Sequence, residues 1–278
     1  MTRLVWFAVL LALPRLAPAV TLRMPPVVVP PHSERQVCQY IETRVGRPDQ
    51  MLAGYRVRVR GHSHHFNLFD ASGVIPATRE QRDGPPSACV PDGGMPRLVA
   101  TIGPVASLRL PDDIRLPWQI PQPLVMDLHV VNPTSRPRTV RTRVHLRLRR
   151  APVGVRIATR WGVRTDDIAV QPFTTATVGT SWIAPAAIGL LTFGGHMHAQ
   201  GIVLRAYRDD VLVYEQRDWR HPVEVNYRSP ELLPAGTTLR VECLYDNGVE
   251  RPVFRCDDGT PCPLVWGERA VDAMCNLQ

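Results

Sequence analysis

The chain has 278 residues, which is long enough to bury a substantial core in one large or two medium-sized domains. Its net charge of +8 comes from arginine alone, since the sequence contains no lysine. A basic chain is a candidate for nucleic-acid binding, but the export signal described next argues against DNA or RNA. No segment is apolar for long enough to span a membrane.

Residues 1–19 are predicted to be a secretory signal peptide. Arg3 supplies the positive start, residues 4–13 form a short apolar run, and Ala17-Pro18-Ala19 has the small-x-small form that signal peptidase cleaves. The mature protein is therefore expected to be soluble and exported. Residues 20–32, where prolines cluster, are predicted to be an extended linker.

Short runs of alternating apolar and polar residues, separated by proline and glycine clusters, predict an all-β chain. The runs lie at 55–60, 124–131, 140–148, 202–207, 211–216 and 238–244. A boundary near Ala151-Pro152 divides the chain into two consecutive antiparallel β-sandwich domains, at residues 33–150 and 151–278, each of ordinary domain size. Residues 75–96 show little periodicity and are predicted to be a long loop.

The richest arginine run alternates strictly. From Arg141 to Arg149, residues of one parity are arginine or histidine, and those of the other parity are apolar or threonine. This pattern is typical of a half-buried strand with a solvated outer face. We prefer that interpretation, and an anionic partner is the alternative.

The six cysteines of an exported chain favour disulfide bonds over thiolate metal sites or a nucleophilic cysteine. Cys256 and Cys262 are close enough in sequence to close a small loop. The other four are expected to form longer links, one pair in each half of the chain: Cys38, Cys89, Cys243 and Cys275.

The segment His196-Met197-His198 is the clearest metal-binding signal. On a strand, residues two apart point the same way and lie about 6.5–7 Å apart, so both imidazoles can reach one ion. Met197 then points to the opposite face and is expected in the core. A third ligand must come from elsewhere, and Met274 beside Cys275 is a candidate, although core packing is the default role of a single methionine.

His64-His65 is a second candidate. Neighbours on a regular strand face opposite sides, so both can bind one ion only at a bulge, a bend or a strand end. A His62–His64 pair, which shares one parity, is the alternative. His129 lies in mid-strand on the face of Asp127, where a satisfied half-buried histidine is the competing interpretation.

Five imidazoles and one thioether form the candidate ligand set. Thioether sulfur suits Cu(I) and is a poor ligand for zinc, magnesium or calcium, whereas imidazole binds both oxidation states of copper. The sequence has no H-E-x-x-H motif, glycine-rich phosphate loop or evident Ser-His-Asp order. An exported copper redox protein is therefore the hypothesis that the residues favour.

The order of these motifs resembles the copper type II, ascorbate-dependent monooxygenases, the family of peptidylglycine α-hydroxylating monooxygenase and dopamine β-monooxygenase. The matching stretches span nearly all of the mature chain in the family's order. They are Cys38-Gln39-Tyr40, His64-His65-Phe66-Asn67-Leu68-Phe69, Leu128-His129 with Asn132-Pro133, His196-Met197-His198 with Gly201, and Met274-Cys275-Asn276-Leu277.

The resemblance implies two jelly-roll-like sandwiches that face each other across a solvent-filled cleft, with two coppers. One copper, for electron transfer, would be held by His64, His65 and His129. The other, which meets dioxygen and substrate, would be held by His196, His198 and Met274. The resemblance also implies the disulfides Cys38–Cys89 and Cys243–Cys275.

Several positions depart from the family. The peptide-processing members carry an arginine that holds a substrate carboxylate where this chain has Gly194, and a tyrosine where it has Gln278. Asn276 is kept and is a weak candidate for substrate binding. Ala71 replaces a first-domain cysteine. The family also continues past this segment into another strand, so the completeness of the second sandwich is an open question.

The function hypothesis is an exported dicopper monooxygenase. It would hydroxylate an activated C–H of a small or amphipathic substrate with O2 and an ascorbate-type one-electron donor. Two alternatives stay open: an exported copper-handling protein without turnover, and a secreted adhesion or ligand-binding sandwich in which the histidines are incidental.

Overall fold

The structure is a computed structural model that describes residues 19–61, 64–73, 86–88 and 95–278. Every regular element in these ranges is a β-strand, and all the larger sheets are antiparallel. The predicted all-β fold is confirmed. None of the described residues belongs to a helix long and apolar enough to cross a membrane. The predicted signal peptide falls almost wholly on residues 1–18, outside the described ranges.

Residues 19–150 form two antiparallel sheets that share one core. The sheets have the strand orders β1-β10-β3-β7 and β5-β2-β9-β4-β6. Leu146 of β10 and Leu128 of β9, one from each sheet, are both buried in this core. The strands are β1 (Ala19–Val29), β2 (Ser33–Thr43), β3 (Gln50–Arg60), β4 (His65–Asp70), β5 (Ser87–Ala88), β6 (Arg97–Ile102), β7 (Val105–Arg109), β8 (Ile114–Arg115), β9 (Gln122–Asn132) and β10 (Arg138–Arg150).

Residues 19–29 form an edge strand, so the predicted linker at 20–32 is wrong for most of its length. Val20, Leu22 and Met24 are buried in the core, and β1 pairs with β10. The register shifts between Met24 and Val27, where two prolines stand. An edge strand with a bulge tolerates residues that lack an N–H donor, which is why the prolines do not break the strand.

The alternating runs lie on strands, as predicted. In β10 the arginines from Arg141 to Arg149 are exposed, and Val144, Leu146 and Leu148 between them are buried. The solvated outer face predicted for this strand is confirmed. The loop predicted at 75–96 lies mostly outside the described residues, which include only β5 and its flanks there.

The second half also has two four-stranded sheets around its own core, with strand orders β12-β21-β15-β18 and β14-β19-β16-β17. Met197, Leu204 and Tyr245 are fully buried in this core, as predicted for Met197. The strands are β11 (Arg156–Ile157), β12 (Val163–Thr165), β13 (Ala169–Val170), β14 (Thr174–Ile183), β15 (Ile188–Met197), β16 (Gly201–Arg208), β17 (Val211–Gln216), β18 (Glu224–Leu233), β19 (Thr238–Asn247), β20 (Leu264–Val265) and β21 (Cys275–Leu277).

Two predicted disulfides are present. Cys243 of β19 is bonded to Cys275 of β21, which joins the two large sheets of the second half. Cys256 is bonded to Cys262 in the loop before β20. The Cys38–Cys89 link cannot be compared with the structure, because Cys89 lies outside the described residues.

The two halves touch at several points. β11 pairs in parallel with β8, so the first strand after the predicted boundary adds to an element of the first half. Arg160 donates a hydrogen bond to the Tyr55 hydroxyl, and Arg97 donates one to the Gln278 side chain. These contacts fix which faces of the sandwiches meet, and the candidate ligands lie where they meet.

Candidate metal centre

The ligand candidates of the first half lie at the start of β4 and in the middle of β9. His65 is the first residue of β4 and stands directly opposite His129. His64 immediately precedes the strand, and its N–H donates to the His129 carbonyl at 3.0 Å. The strand end thus lets His64 and His65 turn to one side, while Phe66 enters the core. The competing His62 lies outside the described residues.

The candidates of the second half lie at the end of β15. His196 is on the strand and His198 follows directly after it, with their ring centroids 5.0 Å apart. Both side chains are buried, and Met197 between them points into the core. The same-face placement expected of an H-x-H segment on a strand is therefore present.

The two groups form one cluster, which corrects the expectation of two triads separated by a solvent-filled gap. His64 lies at the centre, with its ring centroid 4.9 Å from that of His196 and 5.0 Å from that of His198. His64 is also 5.3 Å from His65 and 5.0 Å from His129. Ring nitrogens of His64, His65 and His196 all lie within 4.8 Å of one another. At this point the face of β4 and β9 packs directly against the end of β15, so solvent has no place between them.

Asp127 orients one imidazole of the cluster. Its carboxylate lies 3.6 Å from His65 Nε2 and accepts hydrogen bonds from Gln36 at 3.0 Å and Asn67 at 2.9 Å. Burial alone would raise the pKa of Asp127, but the contacts with His65, Asn67 and Gln36 outweigh burial and lower it. An ionised carboxylate on Nε2 directs Nδ1 of His65 to the cluster, as is common behind metal-binding histidines.

Glu34 does the same for His129 and joins the two halves. Its Oε2 lies 3.2 Å from His129 Nε2 and accepts the Ala270 N–H at 3.0 Å. Burial would raise the pKa of Glu34, but the hydrogen bonds from His129 and Ala270 lower it overall. Neither carboxylate role was predicted from the sequence. Glu34 belongs to no recognisable motif, and Asp127 indicated only which face of β9 carries His129.

Burial keeps three of the cluster histidines neutral, namely His64, His196 and His198. It lowers the pKa of His64 and of His196 well below the usual value, and the neighbouring imidazoles lower both further. For His198, burial together with the charges that His65 and His129 would carry lowers the pKa to about 3. Neutral imidazole is the form that binds metals, so these side chains are held ready for a metal at neutral pH.

The unpartnered ring nitrogens fit a metal ion. Among the described residues, no hydrogen-bond partner is present for His64 Nε2, His129 Nδ1, His196 Nδ1 and both ring nitrogens of His198. Buried polar atoms are nearly always satisfied, and each exception calls for an explanation. A group of converging imidazole nitrogens has the chemistry of a copper, zinc, iron or nickel site, so these residues fit the copper that the sequence predicts.

Met274 immediately precedes β21, the strand that pairs with the end of β15. In this pairing His196 faces Asn276 and Met197 faces Cys275. The ladder ends at the second of these pairs, so His198 and Met274 are each the first residue beyond it. Met274 is buried, and its carbonyl accepts a hydrogen bond from Tyr245. The Cys243–Cys275 disulfide fixes this segment to the second core.

A cleft of about 790 Å³ lies between the halves next to the cluster. Its walls are largely apolar, with Leu108 from the first half and Trp161 and Phe193 from the second. Asn276, which faces His196 in the register, lines the cleft, and its Oδ1 has no hydrogen-bond partner in the described structure. A polar group in this position can bind a ligand that enters the cleft.

No family model matches the chain, and no curated protein matches it. The cluster and the cleft are therefore interpreted from their own chemistry. Three other histidines of the described residues lie outside the cluster: His32 is exposed, His145 is on the outer face of β10 with the arginines, and His221 pairs with Asp218 at the surface.

The neutral histidines predict an acid-sensitive metal-free protein. Their pKa is lower in the folded than in the unfolded chain, so the unfolded state binds more protons below about pH 6.5. The free energy of unfolding therefore decreases as the pH is lowered. For His198, the loss between pH 7.5 and pH 5 is expected to be about 2 kcal/mol. Urea unfolding of metal-free protein at both pH values measures it.

The matched controls for this experiment are His198→Gln, which should flatten the pH dependence, and His221→Gln, which should not. If the free energy of unfolding is equal at pH 7.5 and pH 5, the histidines are not held neutral by the fold.

Proposed function

We propose that this chain is an exported copper-dependent monooxygenase that uses O2 and an ascorbate-type one-electron donor. The observation that carries the proposal is the buried cluster of imidazoles from both halves, in which five ring nitrogens have no hydrogen-bond partner among the described residues. The motif order that resembles the copper type II monooxygenases gives the cluster its most specific interpretation. Two disulfides support the proposed export, because disulfide bonds persist in oxidising compartments.

The donor set favours copper over zinc. His64, His65, His129, His196 and His198 supply imidazole nitrogen donors, and the Met274 thioether would be the soft sulfur donor, on the residue just before the strand that pairs with β15. Sulfur of this kind stabilises Cu(I) and contributes little to a zinc site. When bound, copper supplies one-electron redox chemistry and a place for O2 to be reduced.

The protein's own residues would prepare the site. Asp127 and Glu34 fix the ring orientations of His65 and His129 and leave Nδ1 of each ring available. Burial excludes water from the imidazoles, which protects a reduced metal from uncontrolled oxidation. In the overall reaction one oxygen atom enters a C–H bond and the other leaves as water, with two electrons and two protons drawn from the donor.

The cleft supports an amphipathic substrate. Its apolar walls would hold a hydrocarbon body, and Asn276 would bind a polar group close to His196. Arg97 and Arg160 also line the cleft and are absent from the ion pairs of the described residues. Each arginine side chain instead contacts a neutral oxygen, on Gln278 and Tyr55 respectively. Guanidinium groups without a carboxylate partner favour an acidic head group on the substrate.

An exported copper-handling protein without turnover is the second candidate. One observation favours it: among the residues that line the cleft, none is a histidine of the cluster. A substrate in the cleft would then meet the metal only through Asn276 and its neighbours. The absence of separate sites for electron transfer and oxygen chemistry points the same way.

Oxygen consumption by the purified mature protein separates the two candidates. Copper content per chain is first measured by mass spectrometry, and at least one copper is expected, because the five imidazoles form a single cluster. Ascorbate-driven O2 uptake is then compared between the wild type, Met274→Ala and the control Met51→Ala, whose side chain lies on β3 away from the cluster. A monooxygenase loses most of its uptake in Met274→Ala and keeps it in Met51→Ala.

Bound copper without ascorbate-driven uptake in the wild type would identify the handling protein. Uptake that Met274→Ala leaves unchanged would contradict the monooxygenase proposal. A chain that binds no copper would contradict both.

A further inference from the structure

The outward face of the sheet β1-β10-β3-β7 is a second candidate binding surface, and its chemistry differs from that of the metal centre. Its residues are the alternate positions of each strand whose side chains point away from the core. The positions between them are buried. Nine exposed arginines lie on this face, here called the arginine face: Arg23, Arg56, Arg58, Arg60, Arg109, Arg141, Arg143, Arg147 and Arg149.

The strand register sets these arginines in rows. Arg143 of β10 faces Arg23 of β1 on one side and Arg58 of β3 on the other. Arg141 faces Arg60 in the same way. Neighbouring strands lie about 4.8 Å apart and alternate residues about 7 Å apart along a strand. The guanidinium groups therefore cover a stripe about 10 Å wide and about 27 Å long from Arg141 to Arg149.

No acidic side chain balances this charge. None of the nine arginines takes part in an ion pair among the described residues, and the neutral positions between them include Thr21, Ser107 and His145. The positive charge of Arg143, Arg56 and Arg58, added to burial, lowers the pKa of His145. Like charges placed opposite each other destabilise a sheet, so folding alone does not account for the arrangement.

The second half pairs most of its strand arginines instead. Arg205 of β16 binds Glu215 at 2.8 Å, and Arg208 binds Glu231 at 3.0 Å. Nine of the chain's 33 arginines lie on the arginine face, which leaves 24 to set against 25 acidic residues elsewhere. The whole net positive charge of the protein is thus concentrated on one surface.

We infer that the arginine face binds a linear sulfated polysaccharide. Arginine forks bind sulfate oxygens in pairs, and a narrow stripe of regularly spaced forks matches a chain with regularly spaced sulfates. The described outward positions of the face carry no phenylalanine, tyrosine or tryptophan on which nucleic-acid bases could stack. Export, which is part of the proposed function, would bring the protein into contact with polysaccharides outside the cell. The inference is independent of copper.

Binding of a heparin dodecasaccharide to the full mature protein tests the inference. Calorimetry or fluorescence polarisation in 0.15 M NaCl is expected to detect binding that weakens steeply as salt rises, because counterions are released. The double variant Arg58→Glu/Arg143→Glu is expected to bind at least about 10-fold more weakly. The control Arg228→Glu/Arg255→Glu makes the same charge change at exposed positions of the second half and should bind almost as the wild type does.

Thermal unfolding and copper content of both variants verify that the fold is intact. Heparin with its sulfates removed should lose the binding. The inference fails if the Arg58→Glu/Arg143→Glu variant binds heparin as the wild type does. It also fails if duplex DNA or phosphatidylserine vesicles bind more tightly than heparin at the same salt concentration, because the partner would then be a nucleic acid or a membrane.

Discussion

Replacing His64 with alanine is expected to abolish most metal binding, with the largest loss of copper affinity of any single histidine variant. His64 is the one imidazole whose ring lies about equally close to His65, His129, His196 and His198. Loss of this central donor should weaken copper binding by more than the roughly 10- to 100-fold that follows when a residue hydrogen-bonded to a metal ligand is lost. Copper titration against a competing chelator measures the change.

Two further variants make this result specific. His64→Gln keeps the volume and polarity of the buried side chain, so it separates loss of a ligand from loss of packing. His221→Ala removes an exposed histidine that pairs only with Asp218, and it should retain full copper affinity. Full copper binding by His64→Ala would show that His64 is not a ligand. It would also contradict the assignment of all five imidazoles to a single metal centre.

Asp127→Asn is expected to damage both the metal centre and the fold. The uncharged side chain would hold His65 less firmly, which should weaken copper binding about 10- to 100-fold. Its amide group would also place a donor against Gln36 or Asn67, which both donate to Asp127. A buried unsatisfied group of this kind costs about 1–3 kcal/mol. Copper titration and urea unfolding of the metal-free variant measure the two effects separately.

Asp113→Asn is the matched control for this variant. Asp113 forms an exposed ion pair with Arg156, and such pairs contribute little to stability. Its copper affinity should equal that of the wild type. If Asp127→Asn binds copper with wild-type affinity, the carboxylate does not orient His65.

The strand pattern could be predicted from sequence because each strand has one buried face. Val144 and Leu148 alternate with exposed arginines in β10, so the period of two is visible without any partner. β1 was missed because its two prolines suggest a linker, and its edge position, which tolerates them, depends on pairing with β10. Pairing between distant segments is not visible in local periodicity.

The members of the histidine cluster could be predicted, and their arrangement could not. The H-x-H spacing and the strand end at His64 are local, and they identify candidate ligands directly. The distance between His64 and His196 depends on which faces of the two sandwiches pack together. The role of Glu34 at the junction of the two halves depends on its contact with Ala270, which is more than 200 residues away in the chain.

The contact of Glu34 with both His129 and the Ala270 N–H makes the centre a composite of the two halves. Neither half, expressed as a separate fragment, would contain a complete donor set. Mixing the two fragments with copper should therefore assemble the complete donor set, with the ion bound by ligands from both fragments. A change in the way the halves dock would alter the distances that join His64 to His196 and His198, while the distances within each half would stay as they are.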